Sequence, residues 1–206
     1  MMYPKLQQFI EGLQEEVSNI PEDRKPKLEQ IVSYLKAQQE KGNTCHLTFI
    51  CTHNSRRSHM GQIWARTMAH LKGMEDIQTW SGGTEATAFN PHAIKAIQEA
   101  GFEVVMEKEG DNPHYRVTYG EGDTGSEAFS KVFSHGSNPQ SNFGAVMTCQ
   151  EADEACPFVP GAAMRVALSY DDPKAFDGTE LQDAKYMERS RQIAAEMWWV
   201  FDKASK

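Results

Sequence analysis

Two kinds of hydrophobic spacing divide this chain. In its first part Leu6, Phe9, Ile10, Leu13 and Val17 recur at helical intervals; Pro21 interrupts, and Leu28, Ile31, Val32 and Leu35 form a second stripe that stops near Gly42. This predicts a helical hairpin extension over residues 1–44, its apolar stripes packed on the rest of the molecule. From His46 the pattern changes to short apolar runs alternating with helical segments. HLTFIC (46–51), IQTWSGG (77–83), NFGAVMTC (142–149) and AMRVALSY (163–170) read as strands. SHMGQIWARTMAHLK (58–72), NPHAIKAIQEAG (90–101), QEADEAC (150–156) and TELQDAKYMERSRQIAAEMWWVF (179–201) read as helices, the second with Pro91 near its start and Gly101 at its end. Repeated βα units predict an α/β domain over residues 45–206: a four-stranded, mainly parallel sheet flanked by helices on both faces. Ligands of such sheets bind where loops leave the carboxyl ends of the strands.

One stretch departs from this pattern. Residues 107–142 are rich in Gly, Ser, Asn and Asp, with two strand-like pieces, HYRVTYGEG (114–122) and EAFSKVFSH (127–135). They predict an inserted β-hairpin or long loop, either bordering the active site or decorating a sheet edge. No internal repeat is visible.

Composition narrows the function classes. The 206 residues suffice for one domain with an extension and a substantial core. A net charge of −8 argues against a general nucleic-acid or anionic-membrane partner, so an anion site must be a local positive pocket. No apolar stretch is long enough to span a bilayer, and the first residues show no secretory pattern. A cytoplasmic protein is expected, with Cys45, Cys51, Cys149 and Cys156 as thiols at rest.

The chemistry concentrates in CTHNSRRS, residues 51–58. Cys51 ends a strand, and a helix begins seven residues later. The backbone amides of the intervening loop, Thr52, His53, Asn54, Ser55 and Arg56, converge at a helix N-terminus, which suits a tetrahedral oxyanion and favours thiolate over thiol. Arg57 can grip two anion oxygens with its planar fork. Ser58 can cap the helix or donate to the sulfur, and Asn54 can brace the backbone in an unusual conformation. The bland alternative for Cys51 is a buried structural thiol, which free cysteines often are.

This loop resembles the phosphate loop of the low-molecular-weight protein tyrosine phosphatases and their relatives, the thioredoxin-coupled arsenate reductases. The resemblance continues in TWSGGTEATAFNPHAIKAIQEAGFEV (79–104), AVMTCQEADEACPFVPG (145–161) and SYDDPKAF (169–176), and covers about 46–106 and 143–201. It leaves out the extension and the insertion. His53 stands where the family usually has Gly, and Arg56 where a second loop cysteine is common, so no disulfide forms within this loop. The resemblance makes Asp172 the general acid, on a loop stiffened by Pro173, with Asp171 as the alternative. Ser81 is the counterpart of a serine that orients the loop. Gln62 replaces the carboxylate that binds a monovalent cation in some relatives, so no metal or other cofactor is expected. His53 and His59 are read as braces without a catalytic role.

Phosphatases and arsenate reductases share the attack on a tetrahedral anion; the reductases need further thiols. Cys149 and Cys156 lie seven positions apart, roughly 10.5 Å along a helix, whereas a disulfide needs Cα atoms within about 7 Å. They join only if the helix unwinds. The resemblance implies a relay in which Cys149 attacks the arsenic-bearing Cys51 and Cys156 passes the disulfide to thioredoxin. Six intervening residues are not a usual zinc spacing, and Cys45 reads as structural. Three readings stay open: arsenate reduction, aryl phosphate hydrolysis through a phosphocysteine, with Tyr170 and Phe176 as candidate aromatic walls, and a non-catalytic oxyanion-binding or redox-sensing module.

Overall fold

The computed structural model describes every residue from Met1 to Lys206. In chain order its elements are α1 (Pro4–Glu11), α2 (Gln14–Ser18), α3 (Lys25–Glu40), β1 (Cys45–Cys51), α4 (Arg57–Leu71), β2 (Ile77–Gly83), α5 (Pro91–Ala100), β3 (Glu103–Lys108), β4 (His114–Thr118), β5 (Ser126–Ala128), β6 (Phe143–Met147), α6 (Gln150–Ala155), β7 (Ala162–Ala167) and α7 (Gln182–Ala204), with a 3-10 turn at Pro173–Phe176. The four expected strands form one parallel sheet in the order β2-β1-β6-β7, flanked by helices. No helix is long and apolar enough to cross a membrane.

Strand alternation sends side chains into two apolar clusters, because successive residues face opposite sides of a sheet. Leu47 and Phe49 of β1 and Val146 of β6 join the large cluster with Trp64, Tyr186 and Phe201. Ile50 of β1 and Phe143, Ala145 and Met147 of β6 join a smaller one that also holds Cys51 and Cys149. The N-terminal helices feed the large cluster through Leu6, Ile10, Leu13, Leu28, Ile31 and Leu35. The first arm of the expected hairpin is two helices, broken around Gly12 and Leu13. Local signals set the ends of α5: the Asn90 side chain accepts from the amides of His92 and Ala93, and Gly101 closes the helix at φ 109°. A side chain at Gly101 would also collide with the backbone of Leu6, at 2.4 Å, so α1 rests directly on this turn.

The insertion differs from the expected hairpin. It is a separate three-stranded antiparallel sheet, β3-β4-β5, and its first strand starts at Glu103, ahead of the boundary set at 107. The strand EVVMEK is exposed or half-exposed along its whole length, so it carries none of the apolar alternation by which half-buried strands are found. The strand-like run 127–135 also divides. Its start is β5, and Val132 bridges Gly83 in parallel, extending the main sheet beside the end of β2.

Candidate active site

β1 ends at Cys51, and α4 starts at Arg57, so the loop between them lies at the carboxyl edge of the sheet. The amides of His53 through Ser58 donate to no acceptor within the protein, as an anion-binding nest requires. Asn54 takes the left-handed conformation at φ 44°, which Asn tolerates better than most residues. Its Nδ2 donates to Ser58 Oγ at 2.9 Å. With that oxygen accepting from Asn54, the Ser58 hydroxyl hydrogen is free to point at Cys51 Sγ, 3.1 Å away. His53, where a glycine is usual, keeps an ordinary backbone because the positive φ falls one residue later. Its ring is half exposed and lies 3.7 Å from the Glu85 carboxylate.

The two loop arginines point different ways. Arg57 Nη1 donates to the Tyr170 carbonyl at 2.8 Å and Nη2 to Asp172 Oδ2 at 2.7 Å, while its buried Nε has no partner in the protein. Arg56 Nε donates to the Tyr186 hydroxyl at 2.8 Å, and its guanidinium lies 3.9 Å from Asp172 and 3.6 Å from Asp177. Asp172 is anchored by the Lys174 amide, which donates to Oδ1 at 3.0 Å at the start of the 3-10 turn. Asp171 instead is 97% exposed, its carboxylate 3.5 Å from Arg189. Cys51, His53, Ser55, Arg56, Arg57 and Asp172 line one small pocket. Tyr170 is buried with its hydroxyl donating to Glu196, and Phe176 lies under Lys185 Nζ at 5.3 Å; neither lines that pocket.

The remaining loop contacts come from sequence-distant segments. Thr84 and Glu85 amides donate to the carbonyls of Cys51 (3.1 Å) and Thr52 (2.8 Å). The Asn90 amide donates to Ser55 O at 2.9 Å, and Ser55 Oγ donates to Ala88 O at 2.8 Å. From the insertion, Ser130 Oγ donates to His53 O and the Lys131 amide to Asn54 Oδ1, both at 2.9 Å. The insertion therefore borders the site and grips its loop. This close approach needs Gly82, where any Cβ would meet Phe133 Cα at 2.4 Å. Burial lowers the Lys131 ammonium to about 8. Behind the loop His59 is fully buried, stacked on Phe89 at 4.1 Å with Nδ1 3.3 Å from Ser81 Oγ, and burial holds it well below the ordinary histidine range. It stays neutral, as a brace does.

All four cysteines are free. Cys149 is buried in the same small cluster as Cys51, and its Sγ lies 3.5 Å from Thr52 Oγ1. Burial pushes its thiol upward, opposed by the Thr52 contact. Cys156 is half buried and packs on that cluster's edge. The two flank α6 and are not part of it: Cys149 is extended (φ −146°, ψ 154°) and Cys156 lies past the last turn (φ −125°, ψ 68°). Helical rise thus separates only the six residues between them. Cys45 is buried beside Tyr34 and pushed up to about 11 by that burial, as suits an inert thiol.

The sequence reading missed Ser130 and Lys131 as loop partners, Tyr186 and Asp177 as partners of Arg56, and Arg165, which donates to the carbonyls of Asp153 and Cys156. Nothing local marks them, since each acts on a segment brought close only by the fold.

The family model described as "Low molecular weight phosphotyrosine protein phosphatase" matches residues 46–110, stopping inside the insertion. An arsenate reductase of Bacillus licheniformis is 30% identical over 149 residues, 72% of this chain and 88% of that protein. An arsenate reductase of Bacillus subtilis (strain 168) is 28% identical over 144 residues, 69% of this chain and 84% of the relative. Among solved structures, a YwlE mutant from Bacillus subtilis aligns at TM-score 0.53 and 15% identity over 79% of this chain and 99% of its own. A low-molecular-weight protein tyrosine phosphatase from T. tengcongensis aligns at 0.52 and 13% over 77% and 99%; at these identities the likeness shows the fold. With fold, loop and relatives in agreement, the chain belongs to the superfamily of low-molecular-weight protein tyrosine phosphatases and arsenate reductases, and is an enzyme of one of those two kinds.

Proposed function

We propose that this enzyme reduces arsenate to arsenite with a three-cysteine relay and thioredoxin as electron donor. Arsenate sits on the loop amides of residues 53–58 and the free Nε of Arg57. The Cys51 thiolate, steadied by the Ser58 hydroxyl, attacks arsenic and displaces hydroxide, which Asp172 protonates so that it leaves as water. Cys149 then attacks Cys51 Sγ. The sulfur–arsenic bond breaks with its electron pair going to arsenic, arsenite departs, and a Cys51–Cys149 disulfide remains. Cys156 attacks Cys149 and frees Cys51, and thioredoxin reduces the Cys149–Cys156 disulfide.

The observation that carries this reading is the presence of Cys51 and Cys149 in one small cluster, with Cys156 at its more exposed edge. A phosphatase needs Cys51, Arg57 and Asp172 but neither later cysteine. The pocket lining also offers arginine and histidine where an aryl ester would need an aromatic wall. The test runs arsenate with thioredoxin, thioredoxin reductase and NADPH beside an aryl phosphatase assay, on wild type and on Cys51→Ser, Cys149→Ser and Cys156→Ser. Arsenate-dependent NADPH oxidation abolished in all three variants is expected. No such oxidation in wild type, together with aryl phosphate hydrolysis that survives Cys149→Ser and Cys156→Ser, makes the enzyme a phosphatase.

A further inference from the structure

The acid loop, residues 169–172, is held from two directions. Arg57 of the phosphate loop grips the Tyr170 carbonyl at 2.8 Å. From the other side comes Arg24, at the start of α3 in the N-terminal extension, whose Nη1 donates to the Ser169 carbonyl at 3.1 Å. The rest of the Arg24 fork engages the buried Glu196 of α7, with Nη2 to Oε2 at 2.9 Å and Nε to Oε1. Glu196 Oε2 also accepts from the Tyr170 hydroxyl at 2.7 Å, and the Tyr170 ring lies under the Arg24 guanidinium at 4.9 Å. One guanidinium thus fixes the carbonyl of one residue and, through Glu196, the side chain of the next, two positions before Asp172. Other ion pairs of the extension, Glu16 with Arg191 and Glu29 with Lys203, reach only α7.

We propose that Arg24 is a positioning residue for Asp172, and that the N-terminal extension thereby sets the geometry of proton donation. This rests on the reading of Asp172 as the general acid. A planar fork that serves Glu196 and Ser169 together has no lysine equivalent: an ammonium keeps the charge beside Glu196 but loses the second grip. Arg24→Lys therefore separates positioning from folding.

The experiment compares phenyl phosphate, whose leaving group must be protonated, with 4-nitrophenyl phosphate, whose leaving group departs largely unaided. Turnover and melting temperature are measured for wild type, Arg24→Lys and Asp172→Asn. Loss of a general acid costs about 100-fold or more, so Asp172→Asn should lower kcat on phenyl phosphate by that much and far less on the nitrophenyl ester. Arg24→Lys should show the same selective loss at roughly 5- to 10-fold, a partial fraction of the acid's contribution, with KM and melting temperature near wild type. If Arg24→Lys keeps the wild-type ratio of the two rates, or lowers both equally along with the melting temperature, the proposal fails. An unchanged ratio in Asp172→Asn removes the acid assignment and the proposal with it. Should wild type turn over neither ester, the same proteins go into the coupled arsenate assay, where the leaving group is hydroxide; there an Arg24→Lys kcat equal to wild type overturns the proposal and a selective kcat loss supports it.

Discussion

The phosphate loop and the Cys149–Cys156 segment lie side by side and are built on opposite principles. The loop is tied at nearly every residue: Cys51, Thr52, His53, Asn54, Ser55 and Arg56 all bond to groups outside it, from β2 through α7. The cysteine segment is one short helix, and one residue of β7 holds its far end. Arg165 donates to the carbonyl of Cys156 at 3.1 Å, to that of Asp153 at 2.8 Å, and to the Asp153 carboxylate. A group that must meet charge as it develops gains from being fixed in advance. In the proposed relay Cys149 would have to reach two different sulfurs, which a segment with fewer ties would allow.

The largest effect expected from breaking this contrast is on stability, at Lys131. Its ammonium titrates near 8 against an ordinary 10.5 because burial disfavours the charge. The unfolded chain keeps this proton to a higher pH than the folded one, so the penalty on folding is complete below pH 8 and fades between the two values. At about 1.4 kcal/mol per pH unit the penalty is roughly 3 to 4 kcal/mol. Lys131→Met, which keeps the backbone bond to Asn54, should gain up to that much in urea unfolding at pH 7 and little at pH 10.5; an equal gain at both would rule out desolvation as the cause. Next comes Asn54→Ala, which removes the donor to Ser58, orphans the Lys131 amide and forces Ala into a left-handed position. A loss of about 2 kcal/mol is expected, with kcat falling while the rate of Cys149–Cys156 disulfide formation stays the same.

In the cysteine segment, Arg165→Ala should speed Cys149–Cys156 disulfide formation about fivefold, equivalent to losing roughly 1 kcal/mol of hydrogen bonding. Mass-spectrometric thiol counting in a Cys51→Ser background measures it, and an unchanged rate would mean that Arg165 does not restrain the segment. Smallest of all, Asp171→Asn should alter kcat by less than about twofold, as exposed positions usually do, because its side chain is exposed and its one ion pair is the 3.5 Å contact with Arg189.

The parts that the sequence made legible are those whose cause is local. The cysteine, the arginine and the serine of the loop fall within eight residues, with a buried strand before them and a helix after. The ends of α5 are marked by Asn90 and Gly101 in the same way. The rest depends on partners far along the chain. Lys131 is 77 positions from Asn54, and Arg24 is 172 from Glu196. At such separations neither spacing nor periodicity carries a signal. β3 escaped for a different reason, because its exposure on both faces leaves no alternation to read. The resemblance names Asp172, with Asp171 as the alternative; in the structure Asp172 pairs with Arg57, whereas Asp171 is exposed and lies 3.5 Å from Arg189.

Arg56 carries one further consequence. By taking the place of an in-loop thiol and anchoring to Tyr186, it leaves Cys51 without a protecting neighbour in its own loop. A peroxide that converts Cys51 to a sulfenic acid then meets Cys149 as the other buried thiol of its cluster, and their condensation releases water and gives a disulfide. That bond is the same one proposed for turnover. A reductant that closes the proposed catalytic cycle would then also rescue the enzyme from oxidative damage.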